Sequence, residues 1–449
     1  MPPDPPKRSL DPATYTNWDA PLTVDDTTPT ESDGSILIKG CKIRSMVAGA
    51  PAIRIKTTKQ VRVRSCVLMG TGITSGAHGL VLLDWGDGNV DVEDTIFFSR
   101  RLGVSGAMPA RAVALPYTFT SFRFVHNYRD GTAGLTAGGD STAGKSSIEI
   151  RENKVKNLDG RFEDPAESDG VVHSNHWGAG GIAGFTPVQF LQLFHVNAPL
   201  AYAVDDNEVI NNAGESRVED IVSLYESTGT ASVKLAHRHN LFVGTYVYDW
   251  AFKPESNNGF WGNNVPSQGS TAANAAIGRW DDSRGLGNSS GGGICGDGNA
   301  TSGIPQQYAV YDGTTLVNIF NYGHQIAGGE NATISNCIIL NSGYIRNLPG
   351  IKSSWGVQPI QAIFYPDPSN PDLAWWGGHD IHDIVTGERW FSPLDNIWHE
   401  EQFFITTKIG VTVTNITNKP GTTPQDEEAA IAAHRATWTQ AGKIIGPLS

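Results

Sequence analysis

Two neighbouring acidic side chains open the stretch Ser216 to Thr230, which reads SRVEDIVSLYESTGT. Its β-branched, alternating residues predict a strand, and successive side chains of a strand point to opposite faces. Asp220, Val222 and Leu224 would then face the core. The opposite face would carry Glu219, Ile221, Ser223 and Tyr225. We therefore expect a core on one side of this strand and a functional site on the other.

A second stretch, GGGICGDG at Gly291 to Gly298, has the same alternation, with Ile294 inward and Asp297 outward. On neighbouring strands, Glu219 and Asp297 would stand roughly 5 to 10 Å apart. That range covers both carboxylate geometries of glycoside cleavage. The hypothesis is that Glu219 is the general acid and Asp297 the base or nucleophile. Asp220 would raise the proton affinity of Glu219 through like charge.

Each acid also has a structural interpretation. Asp220 would accept backbone N–H groups at a turn, Glu219 would be a solvated strand end, and Asp297 would be a turn aspartate between glycines. Side chains predicted to contact a glycan surround these acids, because sugar rings stack on aromatic faces and polar groups bind hydroxyls. They are Tyr225, Ser223, Gln192, Arg279, Trp280, Asp281, Gln325 and His324. The alternatives are a loop salt bridge around Trp280 and a buried, hydrogen-bonded His324.

Composition favours short strands over helices. The chain has 51 Gly, only 4 Met, and no long run of helix-forming residues. Its formal charge of -13 argues against nucleic acid, whose phosphates require clustered cations. No apolar run is long enough for a membrane span, and the first residues lack the apolar core of a secretion signal. The prediction is an extracellular or periplasmic mature protein, and a virion component or a cytoplasmic product also fits this pattern.

The four cysteines are too scattered for a disulfide framework or a zinc site. Cys41 and Cys66, one repeat apart, are expected to be stacked free thiols. We predict no cofactor. A calcium ion would bind at the acidic pair Asp281 and Asp282, although no ligand-spacing motif supports one.

A repeat of about 25 to 33 residues organises the chain, as in a solenoid. Each repeat is marked by a polar, Cys or Asp residue, followed by one residue and then by an apolar pair or a β-branched residue. The markers are Cys41, Cys66, Asp94, Asn127, Asn153, Asn207, Asn240 and Asn336. Strands precede the markers, as in AIRIKTTKQVRVRSCVL, where Ile53, Ile55, Val61 and Val63 would face inward and the four basic residues outward.

These signals predict an all-β fold, a single-stranded right-handed parallel β-helix with long loop insertions and a C-terminal cap. Residues 1–33 would form an extended arm, 34–347 the β-helix, and 348–449 the cap region with a terminal helix from Pro424 to Lys443. The predicted insertions are Gly131 to Ser147, Glu163 to Gly184 and Tyr246 to Ser290. Long loops on a repeat protein often line its binding surface.

The ladder of markers resembles the right-handed parallel β-helix proteins of the pectate-lyase-like superfamily, over roughly residues 36 to 347. That resemblance implies a polysaccharide lyase, a glycoside hydrolase or a phage tailspike. The calcium-binding acidic run of pectate lyases and the N-x-D, D-D, G-H-G, R-x-K series of polygalacturonases are not found here. No catalytic residue is therefore carried over from either.

Three functions follow as expectations. A glycoside hydrolase with the carboxylates named above comes first. A lyase would need a base such as Tyr225 or His173 and a cation such as Arg217. A non-catalytic glycan-binding fibre would use the outward ladder Arg54, Lys56, Arg62 and Arg64 as a subunit contact. The partner is a polysaccharide or oligosaccharide in each case, and the protein is a monomer or a homotrimer.

Overall fold

The computed structural model describes most of the chain as a right-handed parallel β-helix, which confirms the predicted fold class. The described residues are 10–73, 78–99, 107–138, 145–163, 182–185, 188–212, 215–216, 218, 220–245, 292–297, 306–319, 322–327, 329–340, 358–363, 390–392, 397–399, 412–419 and 422–448.

Three ten-stranded parallel sheets form the solenoid within the described ranges, and each coil passes from sheet I to sheet II to sheet III. Strands are numbered along the chain. Sheet I contains β1 (Leu22–Asp25), β4 (Ile53–Lys56), β8 (Gly79–Leu83), β12 (Arg111–Leu115), β15 (Gly134–Ala137), β20 (Gln189–Phe194), β23 (Asp220–Tyr225), β26 (Gly292–Asp297), β30 (Tyr322–Ala327) and β34 (Gln358–Ile363).

Sheet II contains β2 (Ile36–Lys39), β5 (Gln60–Arg64), β9 (Gly88–Glu93), β13 (Phe119–Val125), β16 (Ser147–Arg151), β21 (Ala201–Asp205), β24 (Leu235–Arg238), β28 (Ala309–Asp312), β32 (Thr333–Ser335) and β37 (Thr412–Thr414). Sheet III contains β3 (Lys42–Arg44), β6 (Val67–Gly70), β10 (Ile96–Ser99), β14 (Tyr128–Asp130), β17 (Lys154–Lys156), β22 (Glu208–Ile210), β25 (Leu241–Val243), β29 (Thr315–Val317), β33 (Ile338–Leu340) and β38 (Thr417–Lys419).

Smaller elements decorate the coils. An antiparallel sheet joins β7 (Gly72–Ile73), β11 (Ala107–Met108), β18 (Arg161–Glu163) and β19 (Ile182–Phe185). Two further pairs are β27 (Gln306–Gln307) with β31 (Gly329–Glu330), and β35 (Trp390–Ser392) with β36 (Ile397–His399). A 3-10 turn spans Pro12–Thr14, and the helix α1 spans Pro424–Gln440.

Apolar side chains at alternate positions fill the interior of the solenoid. Ile53, Ile55, Val61 and Val63 are fully buried, as the alternation predicts. Rings from neighbouring elements also meet inside, and the centroids of Phe97 and Phe124 lie 5.6 Å apart. Because each coil places its apolar residues on those of the next coil, one continuous core forms along the stack.

A ladder of buried asparagines lies at the corner between sheets II and III. The Nδ2 group of Asn153 donates to the backbone oxygen of Phe124 at 2.8 Å and to Oδ1 of Asn207 at 2.9 Å. Asn127, Asn207 and Asn240 bond in the same way. These bonds satisfy backbone groups that the turn leaves unpaired.

Two of the predicted repeat markers were wrong by one residue. The register aligns Val67 with Ile96, so Thr95 occupies the ladder position and Asp94 precedes it. Cys337 likewise takes the position expected for Asn336. Asp94 and Asn336 instead have left-handed backbone, with φ of 52° and 53°. Asp and Asn favour that conformation as well as a ladder, which explains the one-residue shift.

The outer face of sheet II carries charged columns of alternating sign. Arg123 Nη1 contacts Asp91 at 3.1 Å and Glu93 at 2.6 Å, and its Nε lies 3.3 Å from Glu149. Arg62 pairs with Asp33, and Arg64 pairs with Asp91. On sheet I, Arg54 and Lys56 both pair with Asp84. The basic residues predicted as a subunit contact are therefore held in ion pairs between coils of the same chain.

Both ends of the described chain cover the outer face of sheet III. Tyr15 and Trp18 pack on Val67, Ile96, Phe98 and Tyr128, and Ile431 and Trp438 of α1 pack on Leu241, Val243 and Val317. The helix begins with a capping box, in which Thr423 and Asp426 bond to each other's backbone N–H. The helix predicted from Pro424 to Lys443 therefore forms, and it ends at Gln440.

The sheets extend beyond the predicted solenoid boundaries. β1 belongs to sheet I, although it lies within the predicted arm, and β34, β37 and β38 continue the three sheets past residue 347. A strand edge is stabilised by pairing with the next strand, which explains why the first and last coils recruit these segments. The segments 157–188, 244–291 and 341–357 each connect sheet III to sheet I.

Candidate functional site

Sheet I places the predicted polar residues in two columns. Gln192, Ser223, Cys295 and Gln325 pair in succession on β20, β23, β26 and β30. Phe194, Tyr225, Asp297 and Ala327 form the next column. Neighbouring strands of a sheet lie about 4.8 Å apart. Gln192, Ser223, Tyr225, Asp297 and Gln325 are therefore close together on one part of the solenoid.

The open part of this surface lies at the ends of the strands. Ile221, which alternation places on the outer face, is fully buried, whereas Tyr225 at the end of β23 is half-buried. Ser223 between them is buried and Gln192 is half-buried. The accessible site is consequently at the first corner, where sheet I turns into sheet II, and not along the middle of β23.

The register corrects the spacing expected between the two acidic stretches. Asp220 pairs with Gly292, whereas Asp297 pairs with Tyr225. Asp220 and Asp297 therefore lie at opposite ends of adjacent strands, roughly 17 Å apart at about 3.3 Å per residue. Asp220 is buried, and Glu219 directly precedes it but lies outside the described residues. Adjacent coils alone do not bring carboxylates together, because the register also decides their distance.

The remaining predicted residues are placed as follows. Arg279, Trp280, Asp281 and Asp282 lie outside the described residues, as do His173 and Arg217. Asp297 and Gln325 are located by their backbone pairing. His324 faces the interior and is 0% exposed. Its imidazole therefore does not reach the outer face of sheet I.

His324 belongs to a row of rings inside the solenoid. Ring centroids lie 5.5 Å apart for Tyr202 and His237, 5.6 Å for His237 and Tyr311, and 5.2 Å for Tyr311 and His324. The Tyr202 hydroxyl lies 2.8 Å from Nε2 of His237. Burial lowers the pKa of both His237 and His324 to about 3, because a charged imidazole is poorly solvated there.

A histidine and a glutamate that the sequence analysis did not single out meet at the first corner. His195 Nδ1 lies 2.8 Å from a carboxylate oxygen of Glu226. The side chain of His195 is 47% exposed, whereas that of Glu226 is 3% exposed. A buried carboxylate that accepts from Nδ1–H fixes the ring and its tautomer. Nε2 of His195 is then the nitrogen available to accept or donate a proton.

Aromatic rings form a wall beside this pair. The centroid of Tyr225 lies 5.4 Å from that of Phe194 and 5.9 Å from that of His195, with an interplanar angle of 84° in the second pair. The backbone N–H of His195 donates to the Tyr225 carbonyl at 3.1 Å. The corner thus combines an oriented imidazole, a phenol and an aromatic surface.

The number of residues between His195 and Glu226 was the sequence signal that could have identified this pair. His195 follows QFLQLF and Glu226 follows DIVSLY, two strands that align residue for residue. The two residues are 31 positions apart, which is one repeat. Both have left-handed backbone, with φ of 53° and 47°. A pattern of alternating residues ends before both of them, so a search confined to strands passes them over.

A β-bulge positions the strand that leads to His195. The pairing of β15 with β20 shifts between Gly134 and Leu135, which leaves Phe190 as the extra residue. The buried Arg129 donates to the Phe190 carbonyl at 3.5 Å, and its guanidinium lies 4.8 Å from the Phe190 ring and 5.6 Å from the Phe124 ring. Burial lowers the pKa of Arg129 to about 9. These contacts fix the bulge at the start of β20.

Within the described ranges, no group of three or more His, Cys, Asp or Glu side chains is placed to hold a metal ion. Cys41, Cys66 and Cys337 are free thiols. No helix among the described residues is long and apolar enough to cross a membrane.

Comparisons of the chain with protein-family models, with curated proteins and with solved structures find no match. The fold places the protein in the class of right-handed parallel β-helices.

Proposed function

We propose that this protein is a polysaccharide-degrading enzyme, a glycoside hydrolase similar to those of the pectate-lyase-like superfamily. The observation that carries the proposal is the exposed His195 held by the buried Glu226 beside Tyr225. An oriented imidazole next to a carboxylate is a common acid–base arrangement. The aromatic wall and the polar column of Gln192 and Ser223 suit a sugar, which has apolar faces and hydroxyl edges.

In the proposed hydrolysis, protonated His195 gives its Nε2 proton to the glycosidic oxygen, and the bond from that oxygen to the anomeric carbon breaks. Asp297 takes a proton from water, whose oxygen bonds to the anomeric carbon. The product is a new reducing end and a free hydroxyl on the departing sugar. Asp297 takes this role because its backbone pairs with Tyr225, which is next to Glu226. In this proposal, His195 takes the general-acid role that the sequence analysis predicts for Glu219, and Asp297 keeps the role of base.

A lyase is the second candidate, and the proximity of Tyr225 to His195 favours it. In that reaction a base removes the proton from the carbon beside a uronate carboxylate. The carbon–oxygen bond at the next carbon then breaks, which leaves a double bond. A phenol and an imidazole 5.9 Å apart by their ring centres are suited to remove one proton and return another.

Product analysis tests the proposal and separates the two reactions. A panel of neutral and uronate-containing polysaccharides is incubated with the protein, and both reducing ends and ultraviolet absorbance of unsaturated uronate are measured. New reducing ends without the absorbance support a hydrolase, and both together support a lyase. Neither product across the panel, with binding alone, would overturn the enzyme proposal in favour of a glycan-binding protein.

Substitution of His195 tests the site itself. His195→Asn should lower kcat by about 10²- to 10⁴-fold, the usual contribution of one acid–base group. His239→Asn is the matched control, because His239 has the same left-handed backbone, with φ of 52° against 53°, at the corner between sheets II and III. Asparagine is well tolerated there. Equal activity of the two variants would remove His195 from the mechanism.

A further inference from the structure

Two exposed aromatic residues lie on the same corner of the solenoid as His195. Trp85 is 56% exposed and Tyr117 is 51% exposed. Trp85 follows β8 and Tyr117 follows β12, two adjacent strands of sheet I. Exposed aromatic rings that recur at one place are candidates for a stacking surface, because sugar rings stack on aromatic faces.

Register places these rings in line with the proposed site. Leu115 aligns with Ala137, Ala137 with Leu193, and Leu193 with Leu224. The pairing of Leu82 with Ala114 extends the same row to Leu83. Four residues each lie two positions after a member of this row, namely Trp85, Tyr117, His195 and Glu226. Three strand spacings, about 14 Å, separate the coil of Trp85 from that of His195.

The turn that carries Trp85 is held on both sides. The backbone N–H of Asp84 donates to the Ile55 carbonyl at 2.8 Å, and that of Asp87 donates to the Thr118 carbonyl at 2.7 Å. The Thr118 hydroxyl donates to the Asp87 carboxylate at 3.0 Å. Pro116 restricts the backbone before Tyr117. A ring on a fixed backbone loses little conformational freedom when a ligand stacks on it.

The surroundings identify the kind of ligand. Each ring is bordered by polar or small residues, including Asp84, Gly86, Asp87 and Thr118, so the two do not form the continuous apolar patch typical of a protein interface. The nearby cations Arg54 and Lys56 are paired with Asp84, at 2.9 and 3.8 Å. Isolated rings among hydrogen-bonding groups of balanced charge suit a neutral or weakly charged sugar chain.

We propose that Trp85 and Tyr117 are distal stacking sites for a polysaccharide that extends along the first corner toward His195 and Glu226. The direction in which the polysaccharide runs, toward His195 and Glu226, rests on the proposed function. Sugar binding at the two rings does not depend on that function. Because the rings lie several coils from His195, the substrate is a polymer cut within the chain. A disaccharide at His195 does not span the about 14 Å to Trp85.

Kinetics with polymers and short oligosaccharides test this assignment. Trp85→Ala and Tyr117→Ala should each raise KM for the polymer on the order of tenfold, the loss expected from one stacked ring. Both should leave kcat/KM for a disaccharide unchanged. Met46→Ala is the matched control, because Met46 is also exposed, at 55%, and follows β3 of sheet III, on a different corner. Unchanged polymer KM in the double variant Trp85→Ala/Tyr117→Ala would overturn the proposal.

Direct binding keeps this test independent of catalysis. Retardation of the protein in gels containing neutral β-glucan, xylan, mannan or α-glucan should fall in both ring variants and persist in His195→Asn. No retardation of the wild-type protein by any of the four would contradict the proposed stacking sites. A change from oligomer to monomer on Trp85→Ala would also contradict them, because it would assign the rings to contacts between copies of this chain. Unchanged melting temperatures show that the variants are folded.

Discussion

At the scale of single residues, the most unusual side chain is the buried His324. Neither of its ring nitrogens has a hydrogen-bond partner among the described residues. Such a group is stable only as the neutral imidazole, since a buried charge without a partner is costly. His237 lies in the same row of rings with the same lowered pKa. The interior of the solenoid therefore contains two histidines that resist protonation.

Acid sensitivity follows from these histidines. Their ordinary pKa of 6.5 falls to about 3 in the fold, so the unfolded chain binds protons that the folded chain does not. Stability is complete above the unfolded pKa and is lost as pH falls below 6.5 toward 3. Near pH 5.5, each histidine should cost about 1 kcal/mol of unfolding free energy.

His324→Phe tests this sensitivity, because phenylalanine keeps the ring and removes the titrating group. Urea unfolding at about pH 7.5 and about pH 5.5 should show a smaller loss of stability in the variant than in the wild-type protein, by about 1 kcal/mol. His239→Asn, which replaces an exposed histidine, serves as the control. If both variants lose as much stability in acid as the wild-type protein, another group is responsible.

Residue types predicted part of the site, and pairing determined the rest. The alternation in SRVEDIVSLYESTGT correctly predicts that Val222 and Leu224 are buried. It does not reveal that Tyr225, and not Glu219, aligns with Asp297. Which residues face each other across two strands depends on hydrogen bonds between coils 31 or more residues apart, and those bonds leave no local pattern.

At the scale of elements, the bulge between β15 and β20 controls how the chain approaches His195. Gly134 has a φ of +102°, and a Cβ atom there would lie 1.6 Å from the Gln189 carbonyl oxygen. Only glycine allows this close approach. The strand that carries Gln192 and Phe194 is therefore set by a backbone contact on the preceding coil.

Gly134→Ala should consequently destabilise the protein by at least about 3 kcal/mol, because either the backbone conformation or the strand pairing must change. Gly34→Ala is the matched control. Gly34 also has positive φ, +80°, but a Cβ atom there would have no neighbour within 4 Å. Its cost should stay near 1 kcal/mol, the strain of left-handed backbone alone. Similar urea midpoints for the two variants would show that the contact with Gln189 is unimportant.

Elements were easier to predict than their limits. Short β-branched strands and a repeat of fixed length are local properties, and they yield the solenoid directly. The ends of the solenoid depend on which remaining segments pair with the last coils. β37 and β38 follow segments outside the described residues and carry the weak strand pattern TVTNITNK, so the sequence placed them in a cap.

At the scale of the whole molecule, α1 and the residues after it connect distant coils. Asn318 contacts Glu427 at the start of the helix, and Arg435 Nε pairs with Glu208 at 2.6 Å. Trp438 Nε1 donates to Asp206 at 3.1 Å. Farther along, the Gly446 N–H donates to the Glu152 carbonyl at 2.7 Å and the Leu448 N–H to Asp94 at 2.8 Å. One segment thus runs along sheet III and the corner between sheets II and III, from the coil of Asn318 to that of Asp94.

Trp438→Ala should weaken this connection. It removes a buried ring that packs on sheet III and on His434, whose centroid lies 4.6 Å away. A loss of about 3 to 5 kcal/mol is expected for such a truncation. Because coils contact only their neighbours, a weakened tie between distant coils should also make unfolding less cooperative. Calorimetry of Trp438→Ala should show a broadened or split transition.

Gln440→Ala, at an exposed position of the same helix, is the control for that experiment. A single sharp transition in Trp438→Ala, shifted no more than in Gln440→Ala, would show that the helix only decorates the surface.

The position of α1 has a consequence for biosynthesis. A ribosome makes residues 424–448 after every coil that they cover. The apolar surface formed by Leu241, Val243 and Val317 is therefore synthesised before the helix that buries it. Nascent chains at that stage expose this apolar surface to chaperones and to one another. Premature termination before Pro424 would therefore yield aggregates, even though all ten coils, with their thirty strands in the described ranges, had already been translated.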